Sequence, residues 1–366
     1  MKILVSDLTP GMVLARSVYG PNGKRLLNRG VKLNAKYIYF LKKYNVLAVN
    51  VQSTLDDLLP QDENILEDEV KLCAVGAIGQ WTNAKGRTSK QYSTMVHSVE
   101  DIADEILSGK LPLSNLTEIS SFDTYTFAHS VDVCALSVYC GMKLNYPRNR
   151  LILLGIGSLL HDLGKVKLDS RILNKPGQLN DEEHSQIKNH PVWGYSMLHK
   201  EININVDARS AIILLNHHER YDGTGYPRGL KGAEIDEMSA ICSIADVYNA
   251  MVTDRVYRKA LSQSEVYEFL LASGKVMFDM NTLKTFLFCI NPYPIGSFVK
   301  LNSGHIGCVI GSNPDLPLRP MLQLIPSREI IDLKKELSLV ITANPEINEL
   351  MALVKNMDIG RQTALV

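Results

Sequence analysis

The chain has no net charge: its 366 residues carry 39 Lys and Arg against 39 Asp and Glu. No global field therefore draws it to nucleic acid or to a membrane surface, and any anionic ligand must be held by a local cluster. No apolar run approaches the ~20 residues that a membrane span requires. The first residues, Met1-Lys2-Ile3-Leu4-Val5-Ser6-Asp7, lack the long apolar core of a secretory leader. The six cysteines (Cys73, Cys134, Cys140, Cys242, Cys289 and Cys308) include no Cys-x-x-Cys pair. That excludes a zinc knuckle and argues against a disulfide framework; the cysteines read as buried thiols of a cytoplasmic protein. Internal repeats and low-complexity tracts are also missing. The expected partners include neither a membrane nor a nucleic-acid polymer.

What is present is a globular composition, 45% hydrophobic, over a length that allows about two or three domains. The patterning predicts a mainly α protein in three parts. Residues 1–58 read as a small α/β module, with strands over 13–19 and from Leu26, a turn at 20–23, a short helix within 33–44 and a closing strand over 46–51. Residues 59–290 read as a helical domain, opened by an acidic stretch over 56–69 that suits a linker or a solvated helix face. Its helices are expected to include one starting at Ser98-Val99-Glu100-Asp101. Others are expected over 125–142, 151–160, 181–189, 192–199, 208–219 and 239–252. Asn291-Pro292-Tyr293-Pro294 breaks the helical pattern. Residues 291–366 then read as a β-rich module with strands over 298–301, 306–310, 321–325 and 337–341 and a hairpin turn at Asn302-Ser303-Gly304.

Chemistry concentrates in the helical part. His129 lies early in one helix, and His161-Asp162 closes the buried run 151–160. His190 stands beside Pro191, His217-His218 closes another helix, and Asp246 sits in an otherwise apolar helix, Ser243-Ile244-Ala245-Asp246-Val247. A carboxylate in that setting is costly unless it is paired or bound to metal. Imidazole with carboxylate is a ligand set for zinc, iron, manganese or nickel. Five imidazoles and two carboxylates exceed the needs of one ion and suit two, with Asp162 as the natural bridge. The turn-forming loop with Gly223, Gly225 and Pro227 follows at once, as the mouth of such a site.

These motifs resemble the HD-GYP group of the HD phosphohydrolases. The similarity rests on His161-Asp162 with Gly164-Lys165, on the run His217-His218-Glu219-Arg220-Tyr221-Asp222-Gly223-Thr224-Gly225-Tyr226-Pro227, and on Ala245-Asp246-Val247-Tyr248. It extends from about Tyr125 to Ala260. It implies an all-helical metallophosphohydrolase domain that hydrolyses cyclic di-GMP to pGpG or GMP through a metal-bridging hydroxide. The implied metal ligands are His129, His161, Asp162, His190, His217, His218 and Asp246. The implied cofactor is a pair of divalent ions, iron first and manganese second. Lys165 and Asp162 are the implied catalytic residues. Lys165, Arg255, Arg258, Asn249 and the loop residues Gly225, Tyr226 and Pro227 are the implied substrate contacts.

Three positions depart from the family pattern. Tyr125 stands where trinuclear members carry a glutamate, Asn249 where an aspartate is usual, and Val256 where a proline is usual. The first favours two metals over three. The same residues also fit a cyclic-dinucleotide binding protein with little turnover, or a phosphohydrolase acting on another nucleotide. The Gly-Tyr-Pro loop suits a protein-docking surface as well as a substrate entrance, and a homodimer is an allowed assembly.

Overall fold

The computed structural model describes residues 2–15, 17–19, 25–44, 46, 48–52, 68–84, 86–109, 125–173, 175, 177–200, 206–253, 260–346, 348–350 and 352–353. At 68, 69, 125, 126 and 200 it describes the backbone alone. Two compact units emerge: the described residues over 68–290 form one, and those of the two terminal segments cluster as the other. No helix among the described residues is long and apolar enough to cross a membrane.

In the terminal unit, β1 (Lys2–Leu4) pairs antiparallel with β4 (Ala48–Asn50), and β2 (Val18–Tyr19) with β3 (Arg25–Leu27). The helix α1 (Ala35–Lys43) is started by Asn34, whose side chain accepts from the Tyr37 amide. Ile3, Leu14, Leu33 and Leu41 form the core of this part. The expected strand over 13–19 is reduced to β2, because Val13 and Leu14 make only isolated bridges to Lys32 and Val51. The expected turn at 20–23 lies outside the described residues.

The C-terminal part is a five-stranded antiparallel sheet. Its strands are β5 (Phe298–Leu301), β6 (Ile306–Gly311), β7 (Met321–Ile325), β8 (Ile330–Asp332) and β9 (Ile341–Ala343), in the order β8-β7-β6-β5-β9. The turn at Asn302-Ser303-Gly304 joins β5 to β6 as expected, with Leu301 and His305 bonded across it. Alternate residues Val299, Leu301, Leu322 and Leu324 fill one core. The strand expected over 337–341 is a correction: pairing with β5 begins only at Ile341. Leu337, 70% exposed, lies in the turn before it, and β8 was not foreseen.

The helical unit comprises α2 (Asp68–Thr82), α3 (Ser89–Leu107), α4 (Tyr125–Lys143), α5 (Arg148–Leu160), α6 (Ser170–Leu173), α7 (Asp181–Ile187), α8 (His190–Lys200), α9 (Ala208–Asn216), α10 (Glu237–Val252), α11 (Gln263–Ala272) and α12 (Met280–Cys289). α4 and α5 are the centre. α4 packs on α2, α3, α5, α10 and α12, and α5 packs on α3, α4 and α9. Both are apolar nearly all round, which is why they are buried: Val131, Val133, Cys134, Ala135, Leu151 and Leu154 are at or near zero exposure. The acidic stretch over 56–69 lies outside the described residues up to residue 67, and α2 starts at Asp68.

The helix start expected at Ser98 is also a correction. α3 begins nine residues earlier at Ser89, where Thr88 and Gln91 form a reciprocal capping box. Ser98 lies in mid-helix, buried, with its hydroxyl donating to the Met95 carbonyl.

Candidate metal centre

Helix ends build the site. α5 stops at Leu160, so His161 is its C-cap and Asp162 opens a short 3-10 helix, Leu163–Lys167. α9 stops at Asn216, three residues before the expected end, which makes His217 its C-cap and leaves His218 in the following turn. His190 stands in the first turn of α8. His129 comes from α4 and Asp246 from α10. A glycine contact joins two of these pieces. A Cβ on Gly164 would stand 1.9 Å from the His190 carbonyl oxygen and 2.7 Å from the Gly194 nitrogen. Only glycine permits that approach, and it brings α8 and His190 against Asp162.

Three imidazoles are fixed in the same manner. The Nδ1 of His161 lies 2.7 Å from the Ser158 carbonyl, that of His190 2.7 Å from the Ile187 carbonyl, and that of His217 2.9 Å from the Leu214 carbonyl. A carbonyl only accepts, so each Nδ1 carries the proton and each Nε2 presents a lone pair. Those lone pairs converge. His190 Nε2 and His217 Nε2 are 3.2 Å apart. His161 Nε2 is 3.3 Å from Asp162 Oδ2, and His190 Nε2 is 3.4 Å from Asp162 Oδ1. His129 Nε2 is 3.1 Å from Asp246 Oδ1.

Asp162 thus turns one oxygen toward the group His129, His161 and Asp246, and the other toward the group His190, His217 and His218. In each group the potential ligand atoms lie within 4.8 Å of one another. His161 Nε2 and Asp162 Oδ1 are buried without a hydrogen-bond partner. Two facing lone pairs and two orphaned acceptors in a buried pocket are unfavourable unless cations stand between them. The donor set therefore fits metal.

The electrostatics follow from burial and mutual contact. Burial pulls the His190 pKa down to about 4, and burial with neighbouring imidazoles holds His217 and His218 well below the usual value. Burial also acts to lower His161, but the carboxylates of Asp162 and Asp246 outweigh it and raise its pKa. Burial alone would raise both carboxyls. Attraction and hydrogen bonding from the neighbours win: His161 and Lys165 act on Asp162, His129 and His161 act on Asp246, and both acids are held well below the carboxylate range. Lys165 Nζ donates to Asp162 Oδ2 at 2.6 Å, with its side chain 28% exposed, so it stands between the centre and solvent.

The loop after His218 is tied down from inside. Glu219, buried, accepts from the Arg228 amide at 2.7 Å and the Leu230 amide at 2.9 Å. A Cβ on Gly225 would meet the backbone of Arg220 and Glu219 at 2.3–2.6 Å, so this turn folds directly onto the segment that leaves the histidine pair. Tyr226 lies stacked on His218, ring centroids 4.7 Å apart, and its amide donates to the His218 carbonyl.

All seven expected ligand residues and Lys165 are brought together. Tyr226 reaches the centre by direct contact with His218, Gly225 packs on the backbone of Glu219 and Arg220, and Pro227 follows exposed. Asn249, expected at the substrate, is fully buried, and its Oδ1 lies 2.6 Å from His129 Nδ1. Arg255, Arg258 and Val256 lie outside the described residues, as does the side chain of Tyr125. Sequence reasoning missed Glu219 as the loop's internal clamp, and also Lys71 and Asp132. A signal for Asp132 existed, since a carboxylate between Val131 and Val133 is as costly as Asp246 in its apolar helix.

A helical unit with a His-Asp pair at a helix end, further histidines from three other elements and a carboxylate turned toward two histidine groups has the make-up of an HD-type domain. Residues 102–282 match the HD domain family, and residues 298–352 match the KOW domain associated with HD domain. The helical unit thus carries an HD domain over residues 102–282.

Among curated relatives, it is 35% identical over 231 residues to cyclic di-GMP phosphodiesterase PA4108 of Pseudomonas aeruginosa, covering 62% of this chain and 54% of that protein. It is 30% identical to cyclic di-GMP phosphodiesterase PdeB of Borreliella burgdorferi, covering 58% and 56%. It is 36% identical to 3'3'-cGAMP-specific phosphodiesterase 1 of Vibrio cholerae, covering 46% and 38%. The chain thus spans about half the length of the first two relatives. Its fold is also that of Bd1817, a HDG"Y"P protein from Bdellovibrio bacteriovorus, with a TM-score of 0.53 and 20% identity over 78% of this chain and 98% of that one.

Proposed function

We propose that this protein is a metal-dependent phosphodiesterase that hydrolyses cyclic di-GMP. The observation that carries the reading is the convergence of unopposed Nε2 lone pairs on a carboxylate that serves two ligand groups. The first group would be His129, His161 and Asp246, the second His190, His217 and His218, with Asp162 shared. This is a site for two divalent ions, and its mixture of nitrogen and oxygen donors suits iron or manganese. When bound, such ions neutralise phosphate oxygens and lower the pKa of water toward neutrality.

The chain's own residues supply the rest. The carbonyls of Ser158, Ile187 and Leu214 hold three imidazoles in the tautomer that can ligate. Lys165, at the open side, is placed to leave Asp162 for a phosphoryl oxygen and to meet the negative charge that develops there. Arg255 and Arg258 would grip the phosphates bidentately. Gly225, Tyr226 and Pro227 would shape the entrance or dock a protein partner. The working organisation is a catalytic domain over 59–290 between modules at 1–58 and 291–366, in a cytoplasmic protein able to form a homodimer.

The test is a turnover assay on anaerobically handled, metal-loaded protein across cyclic di-GMP, 3'3'-cGAMP and other nucleotides. Cyclic di-GMP should be the preferred substrate, giving pGpG or GMP. The relative named for 3'3'-cGAMP makes that dinucleotide the first competitor. Preference for it would overturn the substrate assignment. Binding without turnover by protein carrying two metals per chain would overturn the enzyme assignment.

A further inference from the structure

His129 has a polar backing that differs from that of the other histidines. Where His161, His190 and His217 each face a backbone carbonyl, His129 Nδ1 faces the side-chain oxygen of Asn249 at 2.6 Å. A carbonyl can only accept, but a carboxamide offers an acceptor on one side and a donor on the other. Turned one way, Asn249 takes the proton of His129 Nδ1 and leaves Nε2 free to ligate. Turned the other way, its NH2 donates to Nδ1, the ring proton moves to Nε2, and the ligand is lost. Something must choose between these two orientations.

Asp132 stands in the position to choose. It follows His129 by one turn of α4 and is buried, and it forms an ion pair with Lys71 of α2; the two side chains are 6% and 7% exposed. The Asn249 Nδ2 is buried and makes no hydrogen bond, and Asp132, three residues after His129 on the same face of α4, is the carboxylate whose charged form the Asn249 side chain favours. Burial outweighs the other influences and leaves the Asp132 carboxyl above its usual value, with Lys71 opposing; the ion pair with Lys71 is what chiefly favours the charged form. A carboxylate accepts and cannot donate. Beside it, the NH2 of Asn249 is favoured and the oxygen is repelled, which leaves the oxygen for His129.

We infer that Asp132, paired with Lys71, is a positioning residue: it fixes the direction of the Asn249 amide and, through it, the tautomer of the ligand His129. The inference rests on the metal reading of the centre. It assigns the Lys71–Asp132 pair a function beyond joining α2 to α4. It also explains how asparagine serves beside a ligand that needs a dependable acceptor: the carboxylate stands one residue further back, neutralised by a lysine.

The discriminating experiment compares full-length wild type, Asp132→Asn, and the exchange Asp132→Asn with Asn249→Asp. Two readouts serve: the metal-to-protein ratio after loading with ferrous or manganous ion, and long-range proton–nitrogen spectra of histidine-labelled, metal-free protein. Asp132→Asn removes the orienting charge while keeping the shape. Metal affinity on the His129 side should fall about 10–100-fold, the usual effect of losing a group that orients a ligand. The His129 signal should show mixed tautomers. In the exchange variant an aspartate at 249 accepts from Nδ1 in either orientation, so metal content and the single tautomer should return. A merely structural pair predicts no such rescue.

The inference is overturned if Asp132→Asn loads and titrates like wild type, or if the folded exchange variant is no better than the single one. Should Asp132→Asn fail to fold, an exchange variant that folds and loads supports the inference, and one that does not overturns it. Wild type that takes up no metal would instead overturn the metal reading, while the tautomer spectra would still decide the role of Asp132.

Discussion

Two imidazole nitrogens 3.2 Å apart, His190 Nε2 and His217 Nε2, each with its proton committed to a carbonyl on the far side of the ring, are a repulsive contact. Residue chemistry of this kind was legible in the sequence because the candidate ligands announce themselves by type: paired histidines, a His-Asp dyad and a carboxylate in an apolar helix. What could not be read was which way each ring faces, since that depends on carbonyls freed at helix ends. Lys165 shows the same division. Its closeness to the dyad was plain, but not that its ammonium reaches back 2.6 Å to Asp162 while remaining partly open to solvent. Replacing it tests whether that contact serves chemistry or only local charge balance. Lys165→Met should leave the metal-to-protein ratio unchanged and lower kcat about 10²–10³-fold, the scale for losing one group that meets developing charge. Single-turnover assays with elemental analysis check both parts. A variant with nearly normal kcat would reduce Lys165 to a lysine favoured by the end of a helix.

Helix and loop ends are the elements that matter here, and they were read unevenly. The buried helix α5 was legible from its all-round apolar character, and placing His161 and His217 at helix ends was sound. The start of α3 was misread because Ser98-Val99-Glu100-Asp101 has the local look of a cap. The working cap is Thr88 with Gln91, and the buried stripe Met95, Val99, Ile102 and Ile106 carries the helix straight through Ser98. Tertiary packing decided, as it does when a local signal competes with a core. The contact of Gly164 with α8 was not legible at all, since it joins residues far apart in the chain. It is nonetheless the element-level determinant of the site. Gly164→Ala would force the His190 carbonyl away from a Cβ that has no room, moving α8 and His190 off Asp162. The expected cost is about 1–3 kcal/mol of stability and a lower metal content, measured by thermal unfolding and elemental analysis. An alanine variant with wild-type metal content would show that α8 yields without disturbing the ligands.

At the scale of the whole molecule the centre is a collection of buried neutral imidazoles, and that sets how the metal-free protein responds to acid. His190 is pulled down to about 4 by burial, while an unfolded histidine titrates near 6.5. Between those values the unfolded chain binds a proton that the folded chain refuses, so stability falls as the pH falls through that window. His217 and His218 act in the same direction. His161 opposes them: its raised pKa contributes stability that is present in acid and lost as the pH rises through that value. Three groups against one leave a net loss on acidification. Asp162 and Asp246 do not alter this window, because carboxyls held low lose their contribution only below the usual carboxylate range. For His190 alone the difference reaches on the order of 2 kcal/mol at pH 5. In a domain of this size that corresponds to a fall in Tm of about 4–8 °C. Bound metal should steepen the pH dependence, since acid also displaces ions from imidazole and removes the stabilisation they give the native state. Chelator-treated protein followed by circular dichroism from pH 7.5 to 5 should therefore show a falling Tm, and metal-loaded protein a higher Tm at pH 7.5 with a larger drop. A metal-free Tm that is flat or rises over this range would mean that the histidines are not buried in the neutral form, and the cluster would lose its physical case for holding cations.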